Sequence, residues 1–418
     1  MNNMRTNSPN SAGPGLYFLG LLSPFVTFLV ALRNFRSGWA KNVVWFFIVF
    51  YGFTFVISNE SLDAARYRNE LVKMYKAPIG SFADFWLLLY NKETNYVDIL
   101  QPLITFVLSR VTDNPHILFA VFGLIFGFFY TRNVWYLIDR TSGRLSITAA
   151  TTLAIFCLVV AFWQLNGFRF YTAVHVFIYG VFIYAEGKKW KGFLFAAFSI
   201  LIHFSMVLPF FLMAIYYLVG NRIVIIFGLY FASFFVSQIS PAVFKQYSES
   251  LPAVFQNRTE KYVSDPYLKA RAKQAGQSLN WYVNGRMTAL QYAINICLVW
   301  LFLNHKRNLT NCPQALSLLC LGLLIGSVAN ISASLPSAIR FLSILYLLTL
   351  ASFFLLTQST RRDLFPAVVM LPFVVASLLY IVVEVRIGFY TIGVMTVVGN
   401  PVTALFVESN TALIDLIK

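Results

Sequence analysis

Apolar residues run in blocks of roughly 17 to 25 along most of this chain, separated by short polar or basic links. The blocks predict helices near 16–32, 42–57, 115–137, 147–164, 168–186, 190–204, 206–219, 222–240, 286–303, 314–334, 336–357 and 365–384. They are continuous rather than alternating, which argues against a β-barrel. Inside lipid, only helices satisfy their own backbone hydrogen bonds without closing a barrel. The predicted fold is therefore all-α and polytopic, with about 12 transmembrane helices. The pair 190–204 and 206–219 is interrupted by His203 and Pro209, and a single long helix there would reverse the parity of everything after it. Residues 387–407 are apolar but broken by Gly388, Gly393, Gly399 and Pro401, a pattern for a re-entrant or interfacial element.

Composition narrows this further. Of 418 residues, 58% are hydrophobic and only 11% charged, against about 25% charged in soluble domains. The net charge of +16 does not point to nucleic acid, because no compact basic domain stands apart from the apolar blocks. Basic residues collect in the links instead: Arg33, Arg36 and Lys41; Arg140 and Arg144; Lys188, Lys189 and Lys191; Arg222; Lys306 and Arg307; Arg361 and Arg362. All fall on one side of the predicted arrangement, which makes that side cytoplasmic. Residues 1–15, rich in Asn, Ser, Pro and Gly, are predicted to be disordered and do not read as a signal peptide. Residues 16–418 form one transmembrane domain with two long extracytoplasmic loops, 58–114 and 241–285. Cys157, Cys297, Cys312 and Cys320 lack CxxC or Cys/His spacing, so no metal or disulfide framework is expected.

The outer loops carry the candidate chemistry. Ser58 to Glu70, SNESLDAARYRNE, packs Glu60, Asp63, Arg66, Arg68 and Glu70 directly after an apolar block, where orientation alone would not put arginines. This reads as a site that handles an anionic lipid. Asp63 precedes Arg66 by three residues, which allows a plain surface ion pair or a carboxylate aimed at a sugar hydroxyl. Asp98, at the start of a short amphipathic helix over 98–110, is a second carboxylate candidate. The loop 241–285 holds six basic and three acidic residues, Arg258 among them.

Other ionisable groups sit at the predicted outer ends of helices. Arg169 opens one in WQLNGFRFYTA, beside the polar break Gln164, Asn166 and Gly167. His203, in LIHFSM, is a general-base candidate with an equally available structural role. Arg340, in SLPSAIRF, is expected one turn inside a helix that Pro336 opens, where free N–H groups and a guanidinium together suit a phosphate. Charges at membrane depth are costly and tend to be functional. His175 and His116 read as structural, and His305 as a loop residue. The chain has no P-loop, GxSxG, HExxH or DxD signature, so neither ATP hydrolysis nor a nucleotide-sugar donor is expected.

The pattern LDAARYRNE followed by NYVDILQPLITFVLSRVTDNPHILFAVFGLIFGFFYTRNVWYL, with the later blocks NGFRFYTAVHVFIYGVFIY, LIHFSMVLPFF and SAIRFLSILYLL, resembles EpsG-like, Wzy-type bacterial polysaccharide polymerases over roughly 40–350. The resemblance implies a GT-C-like integral-membrane glycosyltransferase of the bacterial inner membrane, using neither metal nor cofactor. Its substrates would be undecaprenyl-diphosphate-linked oligosaccharides, joined at the outer face. A chain-length regulator and a flippase are the implied partners besides the bilayer. By position, Asp63, Arg66 and Tyr67 match the first-loop motif, and Arg169, His203 and Arg340 the later ones. Asp63 and His203 are then the catalytic candidates. Arg66, Arg169, Arg340 and Arg258 are diphosphate candidates, with Tyr67, Arg68 and Asp98 beside them. The alternatives are a flippase for the same lipid, which should show internal symmetry and midplane charges, and a membrane O-acyltransferase with His203 as base.

Overall fold

Helix covers every apolar block in the computed structural model of the chain, which describes residues 13–57, 63–90, 98–236, 280–305, 309, 312–333, 335, 338–359, 364–407 and 410–417. Residues 1–12, Glu60, Arg258 with most of the second long loop, Lys306, Arg307, Pro336, Arg361 and Arg362 lie outside the described residues. Among the described residues, six helical runs are long and apolar enough to cross a bilayer, and several shorter apolar helices accompany them. Among the described residues there are no strands, only two isolated antiparallel bridges. This is an all-helical, polytopic membrane protein.

Local sequence sets the breaks. The first block is two helices, α1 (Pro14–Leu22) and α2 (Pro24–Arg33). Pro24 cannot continue α1, so Ser23 turns extended and its hydroxyl accepts the Val26 N–H to cap α2. After α3 (Ala40–Phe53) come three helices too short to span: α4 (Asp63–Lys76), α5 (Phe82–Tyr90) and α6 (Leu100–Leu108). Then follow α7 (Pro115–Ile138), α8 (Ile147–Val159), α9 (Phe168–Ala185), α10 (Lys189–Ile202), α11 (Val207–Val219) and α12 (Ile223–Ala232). The run 190–219 is thus two helices that break at His203, not one.

Beyond the second long loop lie α13 (Trp281–Leu303), α14 (Pro313–Ile331), α15 (Leu342–Ser359) and α16 (Ala367–Gly388). Helix α15 is apolar on all sides and sits at the centre, with every residue from Ile344 to Leu356 buried. Residues 387–407, read as re-entrant or interfacial, end α16 and form the short α17 (Val394–Val398) and α18 (Pro401–Phe406); α19 (Leu413–Ile417) follows. This tail packs on the end of α3. Tyr51 Oη donates to Thr391 Oγ1 at 2.8 Å, Thr54 and Thr396 hydroxyls meet at 2.7 Å, and Phe55 bridges Ile392.

Helices α3 and α7 cross at backbone contact, which only glycine permits. A Cβ at Gly52 would lie 2.2 Å from the Phe119 carbonyl oxygen, and one at Gly123 would lie 2.6 Å from that of Ile48. Gly123→Leu must therefore push α3 from α7, and we expect it to lower the melting temperature in detergent and raise the aggregated fraction on size exclusion. Gly228→Leu, on a face of α12 with nothing within 4 Å, should leave both unchanged.

Candidate functional site

The site begins with a break in the chain between α8 and α9. Val160 leaves the helix (φ −131°), and residues Phe162–Gly167 form a 3-10 turn with Gln164 in a non-helical conformation. His175, buried one helix away, faces the Val160 carbonyl oxygen through Nε2 at 3.1 Å while Asn133 approaches its Nδ1 at 3.2 Å. It serves the break structurally, as expected. Aromatic packing seats the turn from outside: Phe168 stacks on Phe122 at 3.9 Å, and Tyr67 meets Phe122 edge-on at 5.6 Å.

The polar residues of the turn reach other elements. Asn166 Oδ1 accepts the Ala64 N–H at 3.0 Å, capping α4 from a distant part of the chain. Arg169, next to the turn, donates from Nε to Tyr67 Oη and from Nη1 to Asp98 Oδ2, both at 3.1 Å. Asp98 is 1% exposed. Its second oxygen accepts the Phe204 N–H at 2.9 Å, where a further 3-10 turn (Phe204–Met206) follows α10. The carboxylate thus ties α9 to the end of α10, and Arg169 extends the link to α4 through Tyr67. Burial pushes the Tyr67 phenol up, against the pull of Arg169.

A second buried pair lies on the other side of the turn. Glu384, at the end of α16, accepts from Gln164 Nε2 at 3.1 Å through one oxygen. Its other oxygen accepts Arg286 Nη2 at 3.2 Å and Nε at 3.3 Å. The side chains of Glu384 and Arg286 are 2% and 14% exposed. The third Arg286 nitrogen donates to the Val283 carbonyl of its own helix, α13.

The structure sorts the predicted residues as follows. Arg66, Tyr67, Arg169 and Asp98 form one contiguous set, with the Arg66 guanidinium 5.8 Å from the Tyr67 ring centroid. Arg66 also pairs with Asp63 at 2.9 Å, and both side chains are exposed. His203 and Arg340 join the set through Phe170, whose ring lies 5.4 Å from the imidazole and 5.8 Å from the Arg340 guanidinium. The Arg68 guanidinium donates to the Asn69 side chain. Three details differ from the sequence reading. Arg340 is not one turn inside a helix but exposed in the 3-10 turn Ala338–Phe341 that precedes α15, because the regular helix starts only at Leu342. Helix α6 does not merely lie on a surface: its polar residues Gln101 and Thr105 are buried, and Gln101 donates to Glu70 at 3.0 Å. Asp98 precedes that helix and is enclosed.

His203 also has a fixed polarity. Its Nδ1 accepts the Ser205 backbone N–H at 3.2 Å and lies 2.8 Å from the Ser205 hydroxyl. A ring nitrogen that accepts an amide proton leaves Nε2 as the N–H of the neutral imidazole. His203 is therefore built to donate from Nε2.

Sequence reasoning missed Glu384 and Arg286. Each stands where a predicted apolar block meets a loop, a place where interfacial charge needs no explanation. The available signal was that both blocks bring a charge to the level of Gln164.

The fold and this charged end define a helical membrane protein with a buried polar site at one rim of the bundle. The chain belongs to the EpsG family: the family model matches residues 17–392, most of its length. This is a Wzy-like polymerase family, so the chain takes a polysaccharide-polymerase-like role. No curated protein matches it, and no solved structure does.

Removing one partner of a buried pair strands a charge, so Asp98→Ala should cost about 3 to 5 kcal/mol. Asp98→Ala combined with Arg169→Met should recover part of that loss. Thermal unfolding of the detergent-solubilised protein checks both; equal losses in the single and double variants would contradict the pairing.

Proposed function

We propose that the protein polymerises oligosaccharide repeat units carried on undecaprenyl diphosphate, at the outer face of the bacterial inner membrane. In this reading the chain crosses the membrane twelve times in a GT-C-like arrangement. Helices α8 and α9 cross separately, and the shorter α1–α2, α3, α10, α11 and α12 join the long ones. The basic links then face the cytoplasm and the charged rim faces out.

One observation carries the reading: the arginines divide into two kinds. Arg169 and Arg286 are mostly enclosed, at 18% and 14% side-chain exposure, and neutralised by buried carboxylates, whereas Arg66, paired with the exposed Asp63, and Arg340 are exposed at the same rim. Among the described residues, the Arg340 guanidinium has no hydrogen-bond or ion-pair partner, only the Phe170 ring. Together with family membership, this supports Arg340 and Arg66 as the residues that grip a diphosphate, with Arg169 positioning rather than binding.

The transfer then runs as follows. A hydroxyl oxygen of the acceptor sugar attacks the anomeric carbon of the donor chain. The bond from that carbon to the diphosphate breaks, and its electron pair leaves on the diphosphate oxygen. Guanidinium groups stabilise the charge that develops there. The proton of the attacking hydroxyl passes to a base. Asp63 fits that part best, being exposed, whereas both Asp98 oxygens are occupied and His203 presents a donor. The bilayer confines both lipid substrates to one plane, which reduces the orientational search.

Deleting the gene and resolving surface polysaccharide on a gel tests the function. Loss of a polymerase leaves single repeat units on the final acceptor, whereas loss of a flippase leaves none. Arg340→Ala and Arg66→Ala should each give the single-unit pattern at normal protein levels; wild-type chain length in both overturns their assignment. Arg340→Lys should also shorten chains, since an ammonium cannot reproduce the planar two-pronged contact.

A further inference from the structure

Tyr171 has no part in the contacts described so far. Its ring folds back on Gly167, close enough that a Cβ there would sit 2.6 Å from ring carbon Cε2. Helical side chains lean toward the N-terminus of their helix, so the hydroxyl is carried past the first turn of α9 to the charged rim. The Tyr171 ring meets the Phe170 ring edge-on at 5.5 Å, and the Arg340 guanidinium lies 5.8 Å from that same Phe170 ring. Glu384, Asp63 and Arg286, from three further elements, stand close enough to act on the hydroxyl through space. Tyr171 is half-buried, and among the described residues its hydroxyl has no hydrogen-bond partner.

The four neighbours are not equivalent. Glu384 and Arg286 are engaged by each other, by Gln164 and by the Val283 carbonyl. Asp63 is paired with Arg66. Arg340 alone keeps its donors open. A guanidinium has five N–H donors and no acceptor, and a phenol hydroxyl has one donor. A ligand that satisfies both must therefore present several acceptor oxygens close together, as a diphosphate does.

We propose that Tyr171 is a substrate-contacting residue which, beside Arg340, donates its O–H to an oxygen of the lipid diphosphate as the glycosyl bond breaks. This rests on the polymerase reading above and adds to it a donor that the motif residues do not include. No proton leaves Tyr171; the hydrogen bond strengthens as the departing oxygen gains the electron pair. The Arg286–Glu384 pair and Gln164 act as positioning residues, holding the turn on which the Tyr171 ring rests.

The test uses the full-length protein in phospholipid vesicles, with lipid-linked repeat units extracted from the deletion strain as substrate. Tyr171→Phe keeps the ring over Gly167 and removes only the hydroxyl. We expect kcat to fall by roughly 100-fold, the scale of a lost oxyanion donor, with KM and melting temperature little changed. A kcat equal to wild type overturns the proposal, as does a loss confined to KM. Should Tyr171→Phe not fold, Gly167→Ala decides: it displaces the ring and should lower kcat, and wild-type turnover in that variant overturns the proposal. Wild-type protein that extends no chains overturns the polymerase reading itself, and this inference with it.

Discussion

In hydrocarbon an isolated carboxylate or guanidinium is driven to find a partner or to reach water. The Phe162–Gly167 turn lies between two places where that constraint has been met. Asp98 holds Arg169 on one side and Glu384 holds Arg286 on the other, and each pair is further hydrogen-bonded. The pairs come from the segment before α6, α9, α13 and α16, and their further bonds reach Tyr67 in α4 and the turn after α10, so they fix these elements relative to one another. Apolar packing alone would not: side chains facing lipid gain little by exchanging it for one another. The irregular backbone of the turn is tolerated because it is enclosed by protein.

A consequence is a division of labour among like residues. Arginines in the two buried pairs have their charge neutralised locally, so their contribution to any bound anion is geometric. At the rim, Arg66 shares an exposed ion pair with Asp63, and the Arg340 guanidinium keeps its donors open. In one place a single aromatic ring separates the two kinds: Tyr67 stands between Arg66 and Arg169, as Phe170 stands between the imidazole of His203 and the guanidinium of Arg340. Aromatic faces tolerate a cation without removing it from water, which keeps the rim arginines directed but available.

Much of this was legible in the sequence, for identifiable reasons. The apolar blocks gave the helices because length and continuity are strong signals in lipid. Arg169 and Asp98 could be singled out because a charge in or beside an apolar block is conspicuous. Their pairing could not, since about 70 residues separate them and nothing local records the contact. Glu384 and Arg286 escaped notice because a charge at a helix end has an ordinary explanation. The misplacement of Arg340 has a different origin. The local sequence suits a helix start, but 3-10 turns are also frequent at helix N-termini, and the one that forms here packs against α14.

The polarity of His203 bears on how the rim can work. A histidine followed two residues later by serine offers no sequence signal of tautomer. Only the turn after α10, which aims the Ser205 N–H at Nδ1, assigns the remaining proton to Nε2. That turn is held in place by Asp98 through the Phe204 N–H, so the same carboxylate that neutralises Arg169 also sets the proton position on His203. Loss of Asp98 would therefore disturb the imidazole as well as the guanidinium, although it touches neither the rim arginines nor Asp63 directly. Any activity lost with Asp98 reports on the framework, and the chemistry has to be sought in the groups that framework leaves open.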